Sequence, residues 1–309
     1  MSPSAYKSRY DNLPVRLKNG QTQTVQVNQY RLASKNYNKQ EADKFIGKFM
    51  EMFQKGRFDV ALNIHAGSGW VTIGDRDLDD KEQAYNKRTG LNTAWRMEGS
   101  GGDIVKTSSQ IRPAVTDWPA LLRYAFLGKG APEHVQVVLQ LADHWNLAPR
   151  GLQAYADNYL GLDCNGFVGN YLWHVRRGNS WTRLGVGKGS LGPDTWIGSF
   201  FQGAPFLSDW SQMELSKSYL MGMVDKNGNI IGGGPKQPPG HIVITEPGQR
   251  SPRGTSFSVR VVEATGGHSP GLWESWYSLR QANNRIFDVD REDMQAGSRH
   301  VSFKIMEVR

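Results

Sequence analysis

The sequence predicts an α+β protein in which a helix beginning at Cys164 packs on an antiparallel sheet, with an accessory region ahead of it. Two observations set this expectation. Apolar residues recur at the 3.6-residue spacing of amphipathic helices in stretches that run through residue 175. β-Branched runs bounded by Pro and Gly follow at residues 241–245 and 257–264, and further runs close the chain. With 35 Gly and 14 Pro among 309 residues, turns and extended chain should fill much of the remainder.

Composition narrows the classes. A chain of 309 residues makes two domains or one large one. Gly99, Ser100, Gly101 and Gly102 read as a linker, so a soft boundary near residue 110 separates an accessory region, 1–110, from a functional domain, 111–309. Ten Trp, 11 Tyr and 12 Phe argue against disorder. A net charge of +8 suits an anionic partner, whether wall polymer, lipid or nucleic acid. A single cysteine excludes an internal disulfide. No run of about 18 apolar residues is present, so no membrane-spanning helix is expected. The opening Met1-Ser2-Pro3-Ser4-Ala5-Tyr6-Lys7 lacks the apolar core of a signal peptide.

In chain order, residues 1–20 read as a polar arm and 22–32 as a weakly alternating strand. Residues 41–53 form a helix whose Ala42, Phe45, Ile46, Phe49, Met50 and Phe53 make one stripe, read as core rather than a cofactor box. Strands follow at 58–65 and 70–73. His65 has no Cys or second His nearby to share a metal. Asp75, Asp77 and Asp79 imitate a calcium loop, but Asp80 stands where that loop needs glycine and Asn86 where it needs glutamate. Thr116 or Asp117 caps a helix that has Pro119 in its first turn and stops at Gly128. Residues 132–145 and 152–160 form two more helices, and His134 and His144 on the first are structural. The run from Gly185 to Ser190 is not a phosphate loop, because Gly189 stands where Ser or Thr must follow Lys188. Residues 225–229 signal a hairpin turn. Residues 288–292 read as a surface turn, and 285–289 and 299–308 as closing strands.

Cys164 opens the helix that carries Phe167, Val168, Tyr171, Leu172 and Val175 on one face. Asp163 occupies the N-cap position, and the positive end of the helix dipole favours an anion on the first turn. A helix N-terminus is one of the few devices that activates a thiol. Gly166, two residues on, leaves room for close approach of a backbone or substrate.

The hexapeptide Asp163-Cys164-Asn165-Gly166-Phe167-Val168 resembles the D-C-S-G-F/L-V signature of the NlpC-type papain-like cysteine peptidases, bacterial cell-wall endopeptidases, at five of six positions, with Asn165 in place of serine. The resemblance covers roughly residues 150–270. It implies a papain-like core, with the nucleophile-bearing helix packed on an antiparallel sheet, and a Cys164–His241–Glu263 triad. His241 follows the turn Pro238-Pro239-Gly240 at a strand start, and Glu263 lies on the next strand. His268 is a rival for the third position. The family's tyrosine ahead of the cysteine points to Tyr159 or Tyr155, and Asp163, Tyr159 and Trp273 are candidate substrate-binding residues. Trp273 and Trp276 suit stacking on sugar, or core packing. The family's glycine-aspartate strand has no clean copy, and residues 216–223 are its rough substitute. The 77 positions between Cys164 and His241 leave an insertion at residues 181–210.

The activity so implied is thiol hydrolysis of amide bonds in peptidoglycan peptide stems, with no metal and no cofactor. Its partners would be peptidoglycan or another anionic polymer, and an inhibitor or immunity protein; nucleic acid is disfavoured. The place of action would be the cell wall or periplasm, reached by a non-standard route or after cytoplasmic storage. Other thiol chemistry (amidase, acyltransferase or deamidase) would use the same three residues. A basic binding module for wall or nucleic acid, with an inactive thiol, is the alternative of a different class.

Overall fold

The computed structural model describes residues 1–32, 38–54, 62–66, 69–75, 95–99, 119–177, 192–203, 205–232, 240–253, 256–267, 271–283, 285–294 and 299–308. The N-terminal residues, polar enough to read as an arm, begin with helix α1 (Pro3–Asp11), capped by Ser2 Oγ, which accepts from the Ala5 N–H at 3.2 Å. Its two buried tyrosines, Tyr6 and Tyr10, explain why: their rings lie 6.0 and 6.4 Å from that of Phe167. A hairpin of β1 (Leu13–Arg16) and β2 (Thr22–Val25) follows, then α2 (Lys39–Gln54). The α2 stripe is core: Phe45 sits 5.3 Å from Phe126 and 5.1 Å from Trp145, ring to ring. β3 (Leu62–Ala66), β4 (Gly69–Asp75) and β5 (Trp95–Gly99) form a three-stranded antiparallel sheet. Asp77, Asp79, the phosphate-loop imitation at 185–190 and His268 lie outside the described residues.

A helical stretch at 119–126, here α3, leads to α4 (Pro132–His144), α5 (Leu152–Tyr159), α6 (Cys164–Arg177) and the short α7 (Ile197–Phe200). His134 is structural, its Nδ1 accepting the Ala131 N–H at the start of α4.

The remaining strands are β6 (Tyr219–Met223), β7 (Ile242–Arg253), β8 (Ser256–Thr265), β9 (Gly271–Asn283), β10 (Ile286–Arg291) and β11 (His300–Glu307). They form a closed antiparallel barrel in the order β10-β11-β6-β7-β8-β9. This corrects the expected architecture: the sheet has no open papain-like form, and the barrel marks a different fold. The closing element is β9, which pairs with β8 from Phe257↔Leu279 to Thr265↔Gly271 and with β10 from Arg291↔Tyr277 onward. Residues 271–283 mix aromatic and polar side chains on both faces, so no single alternating stripe announces the strand. Residues 288–291, read as a turn, are part of β10.

Alternation along the barrel strands sorts two cores. Met221, Val243, Val259, Val261, Tyr277, Leu279, Phe287 and Phe303 fill the lumen. Leu220, Ile242, Ile244, Val262 and Ala264 face outward and pack with Phe167, Val168 and Leu172 of α6 and the tyrosines of α1. A third core joins the β1–β2 hairpin with α2 to α5.

The N-terminus of α6 is crowded. A Cβ at Gly166 would stand 1.9 Å from the Gly128 carbonyl oxygen, whereas one at Gly47, inside α2, would meet nothing within 4 Å. Gly166→Ala should therefore cost about 2–3 kcal/mol in denaturant unfolding. Gly47→Ala should instead stabilise by roughly 0.5–1 kcal/mol, the helix-propensity gain alone.

Candidate active site

Cys164 is the first residue of α6 and is buried. Its position follows from local chemistry on both sides. Asp163 caps the helix: its Oδ1 accepts the Gly166 N–H at 2.7 Å, and its backbone N–H donates to the Gly128 carbonyl at 3.0 Å. Leu162 is tied to the N-terminal stretch through its bridge to Tyr30. Phe167, Val168 and Leu172 then seat the helix on the barrel wall, while Val175, the last residue of the expected stripe, is exposed.

His241 precedes β7, and its carbonyl accepts the Met223 N–H at 2.9 Å, which anchors the histidine at the barrel rim. Glu263 comes from β8 and is completely buried. The His241 ring nitrogen Nε2 meets Glu263 Oε2 at 2.6 Å. The same oxygen accepts from the Tyr277 hydroxyl at 2.9 Å and from Arg291 Nη2 at 3.1 Å. Glu263 Oε1 is buried and has no hydrogen-bond partner among the described residues.

The charges are mutually supporting. Burial alone would lower the pKa of His241; hydrogen bonds to Cys164 and to Glu263 outweigh it and raise it from 6.5 to about 9. Burial alone would raise that of Glu263; the hydrogen bond and charge of His241, then Arg291, hold it below its ordinary value. With Nε2 turned to Glu263, Nδ1 is the nitrogen left for the Cys164 sulfur. The three residues named from the sequence therefore meet: thiol, imidazole and carboxylate in series, the arrangement needed to deprotonate a nucleophile and stabilise the resulting imidazolium.

The other expected residues fall differently. Asp163 is buried against Lys129 Nζ, 2.8 Å away, and acts as cap and ion-pair partner; burial outweighs that cation and leaves its pKa raised. Tyr159 packs tilted against Tyr155, ring centroids 4.9 Å apart, at the edge of the helical core. Tyr155 donates to Glu41 Oε1 at 3.1 Å. Trp273 pairs directly across from Glu263 on β9, half-buried at the same barrel end.

Sequence reasoning missed four neighbours. Tyr30 borders the site: its phenol is pushed strongly upward, first by burial, then by the charges of Cys164 and Asp163. Tyr277 and Arg291 hold Glu263 from strands not recognised as its neighbours. Lys129 follows a helix-stopping glycine and is buried against Asp163 at the start of α6. A buried lysine beside an N-cap aspartate has no local signature; only the short loop at 127–130 hinted at it.

Comparison with protein-family models, with curated proteins and with solved structures found no match. Among the described residues, no group of three or more His, Cys, Asp or Glu side chains could hold a metal ion, and no helix is long and apolar enough to cross a membrane.

The raised His241 adds stability that is fully present below pH 6.5 and lost as pH climbs through about 9. Glu263, held low, adds stability that is present above pH 4.5 and lost on acidification. The stability advantage of the wild type over His241→Gln, from urea unfolding at a series of pH values, should accordingly narrow between pH 6.5 and 9. A constant difference across that window would contradict the pairing.

Proposed function

We propose that the protein is a cysteine hydrolase whose nucleophile is Cys164, with His241 as general base and acid and Glu263 as the group that orients it. The observation that carries this reading is the buried series in which His241 bonds Glu263 through Nε2 at 2.6 Å while its other side serves Cys164.

In the proposed cycle, His241 Nδ1 takes the thiol proton and the sulfur attacks an amide carbonyl. The Cys164 backbone N–H, at a helix start where no intrahelical acceptor exists, is placed to receive the developing oxyanion. The imidazolium then returns its proton to the departing amine as the carbon–nitrogen bond breaks, leaving a thioester. Water, deprotonated by the same imidazole, attacks that thioester and releases the acid, and the proton goes back to sulfur. Glu263 stays ionised throughout, since Arg291 and Tyr277 hold its charge. The recessed site strengthens each of these electrostatic contacts.

For substrate, the reading favours amide bonds in the peptide stems of peptidoglycan, an anionic polymer that suits a chain of net charge +8. The support is the Asp163–Val168 hexapeptide and its match to the wall peptidases. The corresponding place of action is the cell wall or periplasm.

Incubation of the protein with purified peptidoglycan, followed by mass analysis, should release peptide fragments, and Cys164→Ala should release none. Glu263→Gln keeps the shape but leaves the imidazole without its anion, and the turnover rate should fall by about 10²- to 10⁴-fold. Full activity of Cys164→Ala would refute the thiol mechanism. A reactive Cys164 with no wall fragments would move the substrate to a non-wall amide or ester.

A further inference from the structure

Asn165 stands where the resembling peptidases carry serine, and the structure gives the longer side chain two partners that face different ways. Its carbonyl oxygen accepts from Lys129 Nζ, and its amide donates to the Thr195 carbonyl at 2.8 Å. Lys129 is buried and also bonds both carboxylate oxygens of Asp163, at 2.9 and 2.8 Å. Asn165 thus joins the loop at 127–130 to the segment at 192–197 across the first turn of α6. A serine hydroxyl, a single polar atom set one bond closer to the backbone, cannot span both.

That segment is firmly set. The Gly192 N–H donates to Thr195 Oγ1 at 2.7 Å, the Thr195 N–H to the Gly192 carbonyl at 3.1 Å, and the Ile197 N–H to the Gly232 carbonyl at 3.3 Å. A Cβ at Gly169 would come within 2.5 Å of the Gly192 carbonyl oxygen, so the segment lies directly on α6. Ile197 is buried in the same core as Cys164. Between these two anchored neighbours, Trp196 is 58% exposed, the one large aromatic among the described residues left open to solvent to this degree. The path from Cys164 through Asn165 and its hydrogen bond to Thr195 keeps the Trp196 Cα within about 13 Å of that of Cys164, a span much of which an indole is long enough to cover.

We propose that Trp196 is a substrate-contacting residue, the stacking platform of the Cys164 cleft, and that Asn165 is the positioning residue that holds it there. The flat indole takes the nonpolar face of whatever group flanks the scissile bond. The proposal rests on Cys164 as the reactive group of the hydrolase reading, but not on which bond is cut. Leu215, equally exposed at 59%, is a suitable control.

The test uses the full chain and its single cysteine. Second-order rate constants for N-benzylmaleimide and N-methylmaleimide at Cys164 are measured at one pH and normalised to N-acetylcysteine, so thiol ionisation cancels in their ratio. The wild type should favour the benzyl reagent. Trp196→Ala should lower the ratio about fivefold, the scale on which truncating one aromatic anchor is felt. Trp196→Phe should retain most of the preference, and Leu215→Ala should leave it unchanged. Asn165→Ser should lower it as Trp196→Ala does, and if that variant fails to fold, the surface change at Trp196 decides alone. An unchanged ratio in Trp196→Ala, no benzyl preference in the wild type, or no reaction with either reagent would overturn the proposal. Failure of the hydrolase reading would show separately, as release of wall fragments that is undiminished in Cys164→Ala, with the maleimide ratio still measurable.

Discussion

An antiparallel sheet of six strands has two free edges unless its two end strands pair with each other, and here β9, already paired with β8, also pairs with β10. That closure decides which groups can meet Glu263. It brings Tyr277 of β9 and Arg291 of β10 to the side of the lumen where Glu263 of β8 points inward. A carboxylate buried in a barrel otherwise filled by Val, Leu and Phe would be costly to ionise alone. Two cationic groups and a hydroxyl converging on one oxygen remove that difficulty. The rim histidine then has an anion to lean on, and the histidine in turn reaches the sulfur across the outer wall. An open sheet would leave Arg291 far from Glu263.

The N-terminus of α6 is held from both sides by a different device. Asp163 behind the cysteine and Asn165 ahead of it share the ammonium of Lys129. Cys164 is therefore framed by a polar network that ties the loop at 127–130 and the segment at 192–197 to the first turn of α6. Because the network is buried and well bonded, it rigidifies the turn more than isolated surface contacts would. The short approach of Gly128 to Gly166 belongs to the same packing: without side chains there, the loop can lie against the helix.

What the sequence made legible was local. An N-cap aspartate, a helix stripe and a glycine two positions past the cysteine are decided within a few residues, so α6 begins where expected. His241 after a Pro-Pro-Gly turn and Glu263 on the following strand were readable because β7 and β8 are neighbours in the chain as well as in space. The barrel was not readable, since closure depends on a strand whose two faces are both mixed. Lys129, Tyr30 and Arg291 were missed for a related reason. Each acquires its role from a partner far along the chain, and no periodicity records such a meeting. Tyr159 shows the converse: nearness in sequence to Cys164 suggested a place in the site, yet its ring packs on Tyr155 against the helical core.

The two tyrosines of α1 carry a consequence for how the molecule comes into being. They pack on a helix some 160 positions later, and the thiol, imidazole, carboxylate and guanidinium of the site come from four successive parts of the chain. Contacts of such sequence separation form slowly, because loop closure must precede them. During synthesis, α1 emerges long before its seat exists, and Glu263 lacks its Arg291 partner until β10 has left the ribosome. A nascent or truncated chain would carry Cys164 apart from the groups it meets in the finished fold. Topology thus acts as a timer that holds back assembly of the site until the barrel is whole.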